Sequence, residues 1–409
     1  MTRRGRCSYV RGPALALLLL VCACDATNEL PQIADERITL EPDLTIGLIE
    51  GDSAYLFGDI RSVAVDTAGR IYVGDRIGAN IRVYDFDGRF MKRIAREGRG
   101  PGEIYGWPAD ITFDADGRLY VRDGAGITVF APSQPGGIGD SVAATWRLPD
   151  LGNLASTRSR VSDSGEYVYP SAGVHPDGTA SHFYMPFRDG VPTGDTIEVP
   201  SYRLLASRRR AMYRLGATDG RLLDGLSHVP FAATPVWDVT RSGTIISSDA
   251  TRYELIETNA DGDTLRIIQG PTTPPRPVPA TEKLDSARAL AARLDSIPVP
   301  LDQVIGMGEG VREQRLPETL PALTAIHVAM DGAIWVEQWP WEGRGSSRFY
   351  DVISPDGQLR ARVSLEAPLA QDPPPFFGAR FVVGVVTDPD TGVERVVRFT
   401  LPAVPPIER

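Results

Sequence analysis

Acidic residues stand at corresponding places along this chain: Asp75, Asp123 and Asp249 each follow an apolar run, and Glu337 lies inside a similar one. Acids gathered around one axis offer oxygen ligands to a hard cation, so Ca²⁺ is the cofactor such a ring would take. Arg76, Arg99 and Arg122 stand close by in sequence, as does Arg344; guanidinium groups pair with carboxylates and phosphates. The same segments carry Tyr55, Phe57, Tyr105, Trp107, Trp339 and Trp341. Aromatics with a few charges suit a small polar ligand or a peptide. His175 and His182, with Asp177 between them, are metal-ligand types at a spacing that matches no standard site. No HExxH, GxSxG, CxxC or P-loop pattern occurs, and no catalytic residue is identified. The candidate ligand-binding set is Tyr55, Asp75, Arg76, Arg99, Trp107, Arg122, Asp123, Asp249, Trp339 and Trp341. A plainer reading stays open, in which the acids bond backbone amides in turns and the aromatics pack between elements.

What must position these residues is a repeat. TAGRIYVGD (67–75), ADGRLYVRD (115–123), DSGEYVYPS (163–171), RSGTIISSD (241–249) and MDGAIWVEQ (330–338) each place a turn glycine before an apolar strand, and FGARFVVGV (377–385) is a diverged sixth copy. The six glycines, Gly69, Gly117, Gly165, Gly243, Gly332 and Gly378, are 48, 48, 78, 89 and 46 residues apart. A tight turn takes a residue with positive φ, which glycine supplies. A short strand precedes each turn, and the first copy continues through IRVYD, Asp87-Gly88 and RFMKRI. Four antiparallel strands in about 48 residues make one propeller blade. The reading is all-β: a single six-bladed β-propeller of four-stranded antiparallel blades over 37–405, with one short helical insertion. A strand within 36–50 is expected to pair with 393–401 and close the ring without a free edge. Gly (41) and Pro (34), nearly a fifth of the 409 residues, agree with many short strands and turns.

Two long intervals hold insertions, 189–236 and 271–323. The first contains adjacent Arg208, Arg209 and Arg210, read as an anion patch or as a solvated face. In the second, Thr281 is a fair N-cap, and Leu284, Ala287, Leu290, Ala291 and Leu294 share one face of a helix.

The N-terminus has four arginines before any acid, then an apolar run over 14–21, too short to span a bilayer. Its end, LLVCAC, resembles a bacterial lipoprotein signal with Cys24 as the acylated residue. Residues 1–23 are then a signal peptide and 24–36 a polar tether. The three cysteines are Cys7, Cys22 and Cys24, so cleavage leaves no pair for a disulfide. The net charge of −10 argues against nucleic acid as a partner.

The stretch 57–123, with GRGPGEIYG joining two repeats, is similar to the NHL-like six-bladed β-propeller lipoproteins of bacteria, as is 316–336. The resemblance implies a propeller fold and a location in the cell envelope, on its periplasmic face or at the outer membrane. It supplies no catalytic residues. The expected function is that of a lipid-anchored monomer binding a small polar ligand, a peptide or an envelope protein through its loops. The alternative is a Ca²⁺-dependent lactonase, hydrolase or lyase working in the central channel.

Overall fold

The computed structural model describes residues 37–100, 102–124, 126–132, 136–148, 158–174, 180–194, 196–199, 210–216, 222–228, 231–271, 274–285, 317–339 and 347–402. Cys24 with its signal and tether, His175, Asp177, Arg208, Arg209, Trp341 and Arg344 lie outside the described residues. So does most of the expected helix, of which only a turn at 280–285 is described.

Strands β1 (Arg37–Leu40) and β2 (Leu44–Ile46) come first. Blade one is β3 (Ile60–Val65), β4 (Ile71–Asp75), β5 (Asn80–Tyr84) and β6 (Phe90–Ile94). Blade two is β7 (Asp110–Phe113), β8 (Leu119–Arg122), β9 (Gly126–Pro132) and β10 (Gly139–Arg147). Blade three holds β11 (Arg160–Val161), β12 (Tyr167–Val174) and β13 (Ala180–Arg188), edged by β14 (Val191–Pro192) and β15 (Ile197–Glu198). Next, β16 (Arg210–Gly216) and β17 (Leu222–His228) form a hairpin sheet of their own. Blade four is β18 (Val236–Val239), β19 (Ile245–Ser248), β20 (Glu254–Thr258) and β21 (Thr264–Gln269). Blade five is β22 (Ala325–Val328), β23 (Ile334–Gln338), β24 (Arg348–Ile353) and β25 (Leu359–Leu365). Blade six is β26 (Phe376–Phe377), β27 (Phe381–Thr387) and β28 (Glu394–Thr400) with β2 as its outer strand. The fold is a six-bladed β-propeller.

The turns explain why the repeat folds this way. Gly69 and Gly117 both sit at φ 80°, a conformation that disfavours any side chain. In the first four copies a short side-chain oxygen locks the turn by accepting the amide four residues on: Asp66 from Arg70 at 2.9 Å, Asp114 from Arg118 at 2.8 Å, Ser162 from Glu166 at 3.1 Å and Thr240 from Thr244 at 3.1 Å. The sixth copy is built differently. Gly378 is absent from the positive-φ glycines, and its inner strand is two residues long, consistent with the proline-rich run before it.

The closing strand is β2, antiparallel to β28 with Leu44 opposite Arg398. The sequence has no signal for the role of β1. It lies parallel to β25, Arg37 opposite Arg362, and gives blade five a fifth strand. Four residues of alternating pattern cannot say which edge they will join. The first insertion also resolves differently from expectation: part of it edges blade three, and Arg210 opens the β16–β17 hairpin.

Aromatic side chains hold blades together. Tyr72 meets Phe113 edge-on at 4.9 Å across blades one and two, and Tyr120 stacks on Tyr167 at 5.7 Å across blades two and three. Trp335 meets Phe377 at 5.1 Å across blades five and six. Full burial of such rings contributes about 1.5–3 kcal/mol each. Tyr72 and Tyr120 also donate to Asp66 and Asp114, both at 3.1 Å, so the turn locks and the seams share residues. Burial pushes both phenols well above the ordinary tyrosine range, and they stay protonated donors.

Candidate functional site

Inner strands turn alternate side chains toward the propeller axis. Five residues before the turn glycine stand Ala64, Thr112, Arg160, Asp238 and His327. Around the last three, with Arg158, Glu337 and Arg348, lies a cavity of about 280 Å³. Its wall includes Pro235, Thr324 and Pro374, from the loops that enter inner strands, so it opens on the loop face. A second space of about 190 Å³ is walled by the turn residues Thr67, Ala115, Arg241 and Met330 and so lies toward the other face. Arg160 lines both.

Arg160 is fully engaged. Its Nε and Nη2 bond the two Asp238 oxygens as a fork, Nε at 3.1 Å. Asp238 also accepts the Val328 amide at 2.7 Å and the Val239 amide at 2.8 Å. This group ties blades three, four and five together at the axis. Desolvation opposes the Arg160 charge, but Asp238 outweighs it and holds the guanidinium above its ordinary range.

Arg158 is different. Its Nη2 donates to the Pro374 carbonyl at 2.6 Å and its guanidinium lies 5.5 Å over the Phe376 ring. Its Nε is buried without a partner, and no carboxylate pairs with it among the described residues. Burial, with the charge of Arg160, brings it down to about 10 against the pull of Asp110 and Asp238. It is still a cation at neutral pH.

Across the cavity Glu337 accepts from Arg348 Nη1 at 2.6 Å and lies 4.0 Å from His327 Nε2. Burial alone would raise this carboxyl; His327 and Arg348 overcome that and hold it below the ordinary glutamate range. His327 stacks on Phe377 at 4.5 Å. His182 Nδ1 accepts the Trp237 indole N–H at 2.9 Å, which fixes its tautomer. The wall thus sets three guanidiniums, Arg158, Arg160 and Arg348, against two carboxylates, Asp238 and Glu337. In a chain of net charge −10 this is a local excess of positive charge, and it favours an anion.

The residues expected from sequence fall into several places. Asp75 is 1% exposed and accepts the amides of Gly58, Asp59 and Ile77 at 3.1–3.2 Å and Arg82 Nη1 at 3.0 Å. Both oxygens are spent within blade one and its loops, so Asp75 is a latch and has no oxygen facing a ligand. Asp123 accepts the Tyr105 and Gly126 amides at 2.9 Å, and Asp249 caps Thr251 through its amide at 2.8 Å. Among the described residues no group of three or more His, Cys, Asp or Glu is placed to hold a metal ion. The expected acid ring does not converge: Asp75, Asp123 and Asp249 serve their own loops, and Glu337 is paired with Arg348. Tyr55 packs on Tyr84 at 5.8 Å, and its hydroxyl accepts the Phe90 amide at 3.0 Å. Arg76 pairs with Asp59. Arg99 lies over the Tyr105 ring at 4.9 Å, and Trp107 is 45% exposed. Trp339 packs on Phe231 at 5.5 Å, its carbonyl accepting from Arg276; it belongs to a separate small cluster with Val278 and Leu320. Arg122 is 5% exposed, with buried Nε and Nη2 unpartnered.

Sequence reasoning missed Arg158, Arg160, Asp238, His327 and Arg348. The signal was in the repeat itself. Positions seven and five before the turn glycine face the axis, and reading the charges there (Asp110, Arg158, Arg160, Asp238, His327) would have found most of the cavity.

No curated protein matches the chain. Among solved structures it is similar to a member of the duf4221 family from Bacteroides vulgatus, at 9% identity and TM-score 0.41, covering 88% of this chain and 97% of that one. Virginiamycin B lyase from Staphylococcus aureus aligns at 10% identity and TM-score 0.36, over 88% and 99% of the two chains. The calcium-binding protein regucalcin from Agrobacterium tumefaciens aligns at 11% and 0.34, over 90% and 98%. At these identities no activity transfers. Residues 48–131 match the model of the family DUF5128, described as a 6-bladed beta-propeller. Blade count, sheet order and this match agree, and the chain is a six-bladed β-propeller.

Proposed function

We propose that this protein is a lipid-anchored propeller of the cell envelope that binds a small anionic molecule in the loop-face mouth of its channel. Arg158 carries the reading: a guanidinium opening on a cavity of about 280 Å³, with a buried unpartnered Nε and no carboxylate of its own among the described residues. A buried charge without a partner costs several kcal/mol, and a ligand anion offsets that cost. The volume is near the low end for small-molecule sites, roughly 300–1,000 Å³. It suits a metabolite-sized anion. Thermal melting of the purified protein with acetate, succinate, citrate and phosphate, matched for ionic strength with chloride, tests this. At least one organic anion should raise the melting temperature in wild type and not in Arg158→Gln. Equal responses in both proteins would refute it.

The anchor rests on the LLVCAC sequence ending at Cys24. Cys24→Ser should move the protein from the detergent phase to the aqueous phase; unchanged partitioning would remove the anchor from the account. A second reading, an acid–base enzyme in the same cavity, has one observation in its favour: His327 Nε2 lies 4.0 Å from Glu337. Ester or lactone turnover that is lost in His327→Ala would favour it over simple binding.

A further inference from the structure

We infer that the ligand is a monocarboxylate with an apolar body, an alkyl or aryl acid, seated with its acid on Arg158; the inference rests on the anion-binding reading above. The charge of the cavity wall sets the number of acidic groups. Three guanidiniums, Arg158, Arg160 and Arg348, face two carboxylates, Asp238 and Glu337, which leaves one positive charge for a ligand to meet. The other four charges are spent on the protein. Asp238 takes the Arg160 fork and the amides of Val239 and Val328. Arg348 gives Nη1 to Glu337 and Nη2 to the Leu369 carbonyl, both at 2.6 Å. His182 accepts the Trp237 N–H through Nδ1 and is therefore neutral, since an imidazolium has no acceptor. Among the buried side-chain nitrogens and oxygens described on this wall, only Arg158 Nε and His327 Nε2 lack a hydrogen bond, and His327 Nε2 faces Glu337 at 4.0 Å. A second acidic group on the ligand would thus find no uncommitted cation and would stand among Asp238 and Glu337, where like charges repel.

The rest of the wall sets the body of the ligand. Pro235, Val236, Ile326, Leu369, Pro374 and Pro375 line the same cavity. Trp237 lines it too, and with its N–H given to His182 it has only ring carbon left to offer. Arg158 itself lies over the Phe376 ring at 5.5 Å, so its charge is set against apolar surface. Ile326 and Leu369 are 4% and 2% exposed and belong to the packed cores of the blades, which fixes their side of the wall. The Thr324 hydroxyl is turned to the Glu337 carbonyl at 3.3 Å, and Gln371 is exposed to water. Hydroxyl or amide groups on a ligand body would give up water here without replacement, whereas methylene or ring carbons gain by leaving it. A few polar anchors in a mostly apolar wall is the usual division of labour in a small-molecule site.

The test is calorimetric titration of the full mature protein in mild detergent with acetate, hexanoate, adipate and phenylacetate, at fixed pH and ionic strength, with titrations into detergent alone subtracted. Hexanoate and adipate have the same chain length and differ at the far end, a methyl group in one and a second carboxylate in the other. Hexanoate or phenylacetate should bind about tenfold or more tighter than both acetate and adipate. Repeating the titrations at several temperatures should give a more negative heat-capacity change for that acid than for acetate, the mark of apolar burial. Both apolar acids should weaken about tenfold or more in Arg158→Gln, whose melting without ligand checks the fold. Adipate binding as tightly as hexanoate and phenylacetate would overturn the inference, and so would acetate matching both apolar acids; either result leaves the anion site standing as long as binding is lost in Arg158→Gln. Full retention of affinity in Arg158→Gln, or failure of every carboxylate to bind, would overturn both readings.

Discussion

Arg158 and Arg160 stand two residues apart at the entry to blade three, both on the wall of the loop-face cavity, and only Arg160 has a carboxylate partner, Asp238. The difference assigns them different work. Arg160 is held by a two-pronged bond that joins blades, and Arg158 presents a charge that the protein does not itself neutralise. Arg160→Met should therefore strand Asp238, 9% exposed at its side chain, and cost about 3–5 kcal/mol in urea unfolding. Arg158→Gln, which removes a charge the protein does not itself neutralise, should not lower stability. A reversed order would mean that the two roles are exchanged.

Asp75 accepts three amides and the buried Arg82 guanidinium. Asp75→Ala leaves all four donors unpaired and should cost about 3 kcal/mol or more. Asp249→Ala, which releases only exposed donors of Thr251, should cost about 1 kcal/mol. Chemical denaturation of the two variants side by side gives the comparison; similar losses would show that Asp75 is not the latch described.

The Glu337 carboxyl sits below its ordinary value of 4.5 in the folded protein. Its unfolded form binds a proton more readily, so its contribution to stability is present in full above about pH 4.5 and disappears as pH falls through the lower folded value. Wild type should thus lose stability relative to Glu337→Gln as pH falls below about 4.5, with little relative change from pH 6 to 8. Parallel curves across the acid range would contradict the ion pair with Arg348.

Trp107 is 45% exposed, while Trp339 packs on Phe231 and its carbonyl accepts from Arg276. Trp107→Ala should alter unfolding free energy by less than about 0.5 kcal/mol. Trp339→Ala should cost roughly 3 kcal/mol, because it empties one side of a small cluster. Two equally stable variants would show that Trp339 is as free as Trp107.

The fold was legible because its repeat is written in residues with one conformational use. Gly69 and Gly117 mark turns that few other residues can make, and the apolar strands beside them are in phase. The closing strand was legible for a topological reason, since the last blade lacked one. The β1 pairing to β25 was not, because a four-residue strand does not name its edge. The candidate site was harder to read. Asp75 and Asp123 look like ligands in sequence, yet nearby amides claim their oxygens, and only geometry shows that a carboxylate is already satisfied. Arg158 and Arg160 carry no motif at all; their meaning comes from facing the axis, a property of position in the repeat.

The most direct test of the central claim is calorimetric titration of succinate into wild type and Arg158→Gln, both shown to melt at similar temperatures. Saturable binding at one site per chain in wild type, weakened about tenfold or more in Arg158→Gln, is the predicted result. Equal affinity in the two proteins would contradict the assignment of Arg158 as the anion-binding residue of the channel.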